Sequence, residues 1–179
     1  MHQSTDKYQK RAKRNLWRNT ALLLFTLCAL NISFADNRSE GTILVHGNIE
    51  GSTKDKKTKI EIDLDMLRAL EKTTFTTSAP WTDEPTEYTG VRINTLLKSI
   101  GALSTSFKAM AGNNYQFLLS DIDFDKYPII IAYKKNGEIL NTRTLGPFLI
   151  MFPFDDFPEL LNEKNKAASV WQLTELEIL

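Results

Sequence analysis

A run of hydroxyl side chains at residues 73–81, TTFTTSAPW, is the first stretch whose residue types could form a site. Five hydroxyls surround one Phe, and the run ends at Pro80 and Trp81. Such a run is typical either of a β-branched strand or of a loop that lines a site. The irregular segment 78–87 is long for a connection in a small domain, and long loops often serve binding. The stretch therefore predicts a strand that leads into a candidate ligand loop.

Two acidic segments have the residue types for calcium binding or for acid–base catalysis, but their spacing does not suit either. The run SDIDFD at 120–125 opens like a calcium loop, yet Lys126 and Ala132 stand where that loop needs Gly and Glu. We interpret it as a solvated turn. Asp155 and Asp156 are neighbours in the chain, and adjacent side chains do not face each other for acid–base catalysis. A role at a helix N-terminus is predicted for them.

Histidine and cysteine are too scarce for a transition-metal centre. The one cysteine is Cys28, and the two histidines are His2 and His46. Zinc, haem and iron–sulfur sites draw on clusters of these residues. His46 lies in the alternating run TILVHGNI beside a glycine, which favours a structural position on a strand over a catalytic one.

Residues 1–35 have the pattern of a secretory signal peptide. A basic segment precedes an apolar core from Ala21 to Leu30, which is shorter than the about 20 residues that span a bilayer. Ser33 and Ala35 fit a cleavage site after Ala35. The alternative is an uncleaved membrane anchor. We expect a mature protein, residues 36–179, in the periplasm or outside the cell and free of the membrane after cleavage.

Cleavage would change the composition of the protein. The whole chain has 22 basic and 22 acidic residues; the signal takes six of the basic ones and one acidic one, so the remainder has a net charge of −5. This charge argues against nucleic acid and anionic lipid as partners. Cys28 and His2 also leave, so the mature part retains His46 and no cysteine. Its length is enough for one domain with a normal core.

Short strands and short helices must position the candidate residues. Strands are predicted at 42–49, 59–62, 73–77, 107–111, 115–119, 128–133, 147–152 and 170–179. Helices are predicted after Asp63, which caps the first, over 93–100, where Gly101 ends the second, and across 155–162. Asn136-Gly137 predicts a β-hairpin. About eight strands with two or three helices predict a single α+β domain with mixed β-sheets.

Several segments, in their order and spacing, resemble the molybdopterin-binding domain of the sulfite-oxidase type. The likeness is to its small, secreted, stand-alone bacterial members and covers most of residues 42–179. The segments are FTTSAPW, YTGVRINTLLKSIGA, GNNYQF, YPIIIAYKKNGEIL, LGPFLIMFP and WQLTELEIL. The resemblance implies an α+β domain of mixed sheets that cradles a molybdenum pterin.

The resemblance also places a missing metal ligand in the opening stretch. Family members that do redox chemistry bind molybdenum through a cysteine thiolate a few residues before a Trp and a W-x-G segment. Residues 88–90, Tyr-Thr-Gly, resemble the W-x-G, and Trp81 resembles the upstream Trp, so the cysteine position falls at or near Thr77 or Ser78. A hydroxyl stays protonated near neutral pH and is a harder ligand than a thiolate. TTFTTSAPW thus resembles a metal-ligand loop without its ligand.

A second departure concerns the pterin phosphate. The family strand reads roughly H-G-x-P-L-R-L-V-V-P, whereas residues 144–153 read TLGPFLIMFP. Thr144 takes the place of the His and Leu149 that of the Arg, which would contact phosphate through charged, bidentate hydrogen bonds. Arg143, beside Thr144, could supply one positive charge. Pterin binding therefore stays open.

The remaining side chains suit an organic ligand. Trp81, Tyr88, Tyr115 and Trp171 could line a cleft, although such aromatics are equally typical of a core. The two asparagines before Tyr115 lie in a segment that is near the cofactor in the resembling family. The predicted ligand-binding residues are Thr77, Ser78, Trp81, Tyr88, Asn113, Asn114, Tyr115 and Arg143, with no catalytic residue and no metal ligand.

Three functions follow from these patterns. The first is a secreted, non-catalytic binding module for a small molecule or for a partner protein, such as the sensor domain of a membrane receptor. The second is a molybdopterin-dependent oxidoreductase whose metal is held only by the pterin and oxo groups. The third is a structural or assembly factor without a ligand. The missing Cys, His and Arg favour the first and third, so we expect no cofactor, with molybdopterin as the alternative.

Overall fold

Two β-sheets and three short α-helices make up the part of the chain that the structure describes. The structure is a computed structural model, and it describes residues 41–52 and 58–179. The predicted signal peptide and its cleavage site lie outside these residues. Within them, ten strands are present, and no helix is both long and apolar enough to cross a bilayer.

The first sheet brings the first and last strands of the domain side by side. Its order is β2-β1-β10-β5-β6, in which β1 and β10 run parallel and the other pairs are antiparallel. The bounds are Ile43–Gly47 for β1, Lys59–Ile62 for β2, Phe107–Ala111 for β5, Gln116–Leu119 for β6 and Leu173–Ile178 for β10. The parallel pair makes this sheet mixed, as predicted.

The second sheet is antiparallel and contains the hydroxyl run. Its order is β3-β4-β7-β8, and β9 pairs with β7. The bounds are Lys72–Thr77 for β3, Thr86–Arg92 for β4, Ile130–Lys135 for β7, Glu138–Ile139 for β8 and Leu149–Met151 for β9. Asn136 and Gly137 join β7 to β8 with φ angles of 49° and 78°, which is the predicted hairpin turn.

The first two helices begin and end close to where the sequence predicts. Helix α1 (Leu64–Arg68) is capped by Asp63, whose carboxylate accepts a hydrogen bond from the Met66 N–H at 2.8 Å. Helix α2 (Ile93–Ser99) buries its apolar face, and Gly101 follows it with a φ of 65°. Both helices add to one continuous cluster of buried apolar side chains that joins them to the two sheets.

The predicted helix across 155–162 is wrong in extent and position. Only a 3-10 helix, Pro158–Leu160, lies in that range, and α3 (Glu163–Ala168) follows it. Asn162 begins α3, since its side chain accepts a hydrogen bond from the Asn165 N–H at 2.9 Å. The predicted strand 170–179 begins only at Leu173, because Gln172 has a φ of 50°, outside strand geometry. The fold class itself, a single α+β domain, is confirmed; the first sheet is mixed as predicted, whereas the second is antiparallel throughout.

Candidate functional site

A cavity of about 420 Å³ opens between three segments that are distant in the sequence. Pro80 and Trp81 come from the loop after β3. Ala111 ends β5, and Asn113 and Tyr115 come from the turn between β5 and β6. The third wall is α3 together with the residues that follow it, up to 171. The volume lies in the range of small-molecule sites, about 300–1,000 Å³. We call this feature the aromatic cavity.

Three aromatic side chains define the aromatic cavity. Trp81 and Trp171 meet edge to face, with ring centroids 5.1 Å apart and an interplanar angle of 65°. Trp171 is 40% exposed and Tyr115 is 43% exposed, high values for such large apolar surfaces. The Tyr115 hydroxyl donates a hydrogen bond to the Ala167 carbonyl at 3.1 Å, which ties its ring to α3. Exposed aromatics grouped around one cavity are a typical mark of a binding site.

Polar groups lie at the side of the aromatic cavity formed by α3. The Lys166 ammonium lies 2.8 Å from the Glu163 carboxylate, and both residues line the cavity. Asn113 also lines the cavity, and its amide oxygen accepts a hydrogen bond from the Tyr115 N–H at 3.0 Å. The charged pair sums to zero, so the cavity presents no strong net charge to a ligand.

The loop that carries Trp81 is anchored to Asp155. The Ser78 N–H and hydroxyl both donate to one Asp155 carboxylate oxygen, at 2.8 and 3.1 Å, and the Asp155 N–H donates to the Thr77 hydroxyl at 3.1 Å. Asp155 therefore bonds the loop and has no role at a helix N-terminus, which corrects the sequence prediction. These reciprocal bonds fix the start of the segment that presents Trp81 to the cavity.

Two buried polar atoms belong to Tyr88 and to the cavity residue Trp81. Within the described residues, neither the Tyr88 hydroxyl nor the Trp81 indole nitrogen has a well-formed hydrogen bond, and Tyr88 is fully buried. Burial raises the pKa of the Tyr88 phenol, and the neighbouring Trp81 side chain offsets part of that rise. Native proteins pair most buried polar groups. The Tyr88 hydroxyl is an exception, and its neighbour Trp81 is a residue of the candidate site.

Replacing Tyr88 with Phe is expected to maintain or raise stability at neutral pH and to weaken its alkaline dependence. A buried hydroxyl without a good partner destabilises by about 1–3 kcal/mol, and Phe keeps the ring. Because the folded-state pKa is raised, the native fold favours the neutral phenol, so the unfolding free energy falls as the pH rises above about 10. Thermal melts of both proteins from about pH 8 to 11 test this. A clearly lower melting temperature for the variant at neutral pH would contradict it.

The structure brings part of the predicted ligand-binding set together. Trp81, Asn113 and Tyr115 line the aromatic cavity, and so does Trp171, which the sequence suggested as a cleft residue. The other five predicted residues are not among those that line it: Thr77, Ser78, Tyr88, Asn114 and Arg143.

Two of these five residues lie in turns. Asn114 has a φ of 67° and donates its N–H to the Ala111 carbonyl at 3.0 Å, so it forms the bend between β5 and β6. The Arg143 N–H donates to the Asn141 side chain at 3.0 Å in an exposed turn after β8. Both hydrogen bonds stabilise turns of the backbone, and neither places the side chain at the aromatic cavity.

Sequence reasoning missed the residues that α3 contributes. Glu163 and Lys166 line the cavity, but the predicted helix stopped at 162. A usable signal was present: Asn162 is a favoured N-cap residue, and the EKNKAA segment after it is rich in helix formers.

Two further candidate groups have partners within the fold. The His46 Nε2 lies 2.7 Å from a Glu175 carboxylate oxygen on the adjacent strand β10. In the acidic run, the Asp123 carboxylate accepts from the N–H groups of Asp125 and Lys126 at 3.1 and 2.9 Å. These bonds form a local turn, as expected for that run.

The residues that the resemblance places at the cofactor positions carry neither a thiolate nor a charge that would hold a molybdenum pterin. Thr77 is fully buried, and its hydroxyl both accepts from Asp155 and donates to the Ser78 carbonyl at 3.2 Å. Leu149, which the resemblance aligns with a phosphate-binding Arg, is buried on β9 and carries no charge. Among residues 41–52 and 58–179, no three His, Cys, Asp or Glu side chains are grouped to hold a metal ion.

The comparisons with known proteins identify a structural neighbour. No family model and no curated protein matches the sequence. The crystal structure of the sulfane dehydrogenase SoxCD from Paracoccus pantotrophus is similar, with a TM-score of 0.58 and 17% sequence identity. The match covers 78% of this chain and 38% of that one. At this identity the likeness concerns the fold alone: the chain has an α+β fold of the sulfite-oxidase type.

Proposed function

We propose that the chain is a secreted, non-catalytic binding module whose aromatic cavity takes a small planar organic molecule. The observation that carries this proposal is the cavity itself, with Trp81, Trp171 and Tyr115 around it and two of these rings exposed. Aromatic faces at a concave site stack on flat rings, and each stacked ring contributes about 1–3 kcal/mol. The side-chain amide of Asn113 adds a polar contact of the kind that orients such a ring.

A pterin ring is the first ligand to test. The resemblance to the sulfite-oxidase type implies a fold that holds a pterin, and a fold of that type is supported by the structural neighbour. Thr77 and Leu149, which the resemblance assigns to the metal and phosphate positions, offer no thiolate and no charge, and neither lines the aromatic cavity. We therefore propose that the organic ring binds there without molybdenum. Residues 1–35 support an exported protein. A membrane receptor's sensor domain remains our candidate for the partner that would read the bound state.

The cofactor content of the purified protein tests the proposal. The protein is exported with its own N-terminal segment from a host that makes molybdopterin, purified gently, and assayed for molybdenum by elemental analysis and for released pterin by fluorescence. We expect molybdenum far below one equivalent. Near-stoichiometric molybdenum and pterin would overturn the proposal and favour an oxidoreductase with unusual ligation. A Trp171→Ala variant, prepared in parallel, separates pterin in the aromatic cavity from pterin that copurifies.

A further inference from the structure

Lys166 is the positively charged residue among those that line the aromatic cavity in the described part of the chain. Its side chain is 31% exposed, so most of its length is covered by the cavity wall. Its ammonium has three N–H donors, and the Glu163 carboxylate is its contact at 2.8 Å. The Lys166 ammonium therefore has N–H donors that can bind a ligand packed against the aromatic rings.

The Glu163 carboxylate is a weak partner for Lys166. The Glu163 side chain is 91% exposed, and the two residues are three positions apart on α3. Exposed ion pairs of this kind contribute about 0–1 kcal/mol, because water solvates the carboxylate nearly as well. An anionic group that approaches from the cavity can therefore replace Glu163 with little loss.

The two hydroxyl groups of the cavity lining are already engaged within the fold. The Tyr115 hydroxyl donates to Ala167, and the Ser169 hydroxyl donates to the Asn165 carbonyl at 3.1 Å. Neither is left as a free donor for a ligand anion. Among the lining residues, Lys166 is the one whose positive charge can recognise an anion.

We propose that the aromatic cavity selects a planar ring that carries one anionic substituent, a carboxylate, and that this substituent takes the place of Glu163 at Lys166. The inference rests on the proposed function, because it requires the ring to bind between the aromatic side chains. It adds the class of ligand: a ring with a single negative charge at its edge is bound more tightly than the same ring without it.

The test compares pterin with pterin-6-carboxylate on the exported protein. Affinities are measured at low and high salt for the parent protein and for Lys166→Met, which keeps the length of the side chain and removes its charge. Lys164→Met is the matched control, because Lys164 lies on the same helix, is exposed and does not line the cavity. Glu163→Gln provides a second, independent variant.

The expected result is a preference of about tenfold for the carboxylate at low salt, as for a charge-assisted hydrogen bond. Lys166→Met should abolish this preference, measured as the ratio of the two affinities, Lys164→Met should retain it, and Glu163→Gln should strengthen carboxylate binding. Equal binding of both compounds, unaffected by Lys166→Met, would overturn the inference and leave the proposed function standing. Binding of neither compound would overturn both.

Discussion

Trp171→Ala is expected to weaken pterin binding by at least about tenfold while the domain stays folded. Trp171 is 40% exposed, and its ring meets Trp81 edge to face at 5.1 Å, so its removal takes away one wall of the aromatic cavity. Loss of one stacking face costs about 1–3 kcal/mol of binding free energy, and tenfold corresponds to about 1.4 kcal/mol. The aromatic pair contributes only about 0.5–1.5 kcal/mol beyond area burial, so the melting temperature should fall by a few degrees.

Titration calorimetry on both proteins, with thermal melts alongside, measures the two effects separately. Trp171→Phe is the matched control, since it keeps an aromatic face and should retain most of the affinity. Unchanged affinity in the alanine variant would mean that the ligand binds elsewhere on the molecule.

Gly90→Ala is expected to destabilise the fold strongly without touching the cavity. A Cβ at Gly90 would lie 2.2 Å from the Ile131 carbonyl oxygen and 2.7 Å from the Ala132 Cα on β7. Both atoms are backbone, so the strands must separate where their register shifts, between Thr89 and Gly90. We expect a loss of about 3 kcal/mol of unfolding free energy, the upper end for overpacking.

Urea denaturation followed by circular dichroism measures this loss. Gly112→Ala is the matched control, because a Cβ there would meet the Thr174 side chain at 3.6 Å, an ordinary contact. A Gly90→Ala variant as stable as the control would mean that β4 and β7 do not approach as closely as described.

Most of the strands and the first two helices could be predicted because local patterns determine them. Strand β4 is an exception: it is not among the predicted strands, and it begins at Thr86, inside the predicted loop 78–87. Val45 and its neighbours alternate between buried and half-buried, Asp63 caps α1, and Asn136-Gly137 closes a hairpin, each within a few residues of sequence. The third helix was misplaced because Pro158 and the acidic residues before it resemble a helix start, whereas the cap is Asn162.

The sequence predicts which residue types form the candidate site, but not how they are arranged in space. Residue chemistry predicts Trp81 and Tyr115, and the resemblance adds Asn113. No local pattern indicates that they line one cavity with Lys166, since that depends on how the loop after β3 packs against α3. The bonds between Ser78 and Asp155 join residues 77 positions apart, a separation that carries no local signal. Loop positions of this kind depend on tertiary packing, which a single sequence does not encode in any short window.

Tryptophan fluorescence tests the central claim most directly, because both tryptophans of the described residues line the aromatic cavity. Of the three tryptophans in the whole chain, Trp17 lies in the predicted signal, and cleavage after Ala35 would leave only Trp81 and Trp171. We predict that pterin quenches their emission saturably, with one site per chain and an affinity that Trp171→Ala weakens. Emission that changes only in proportion to pterin absorbance, with no saturation, would contradict the account.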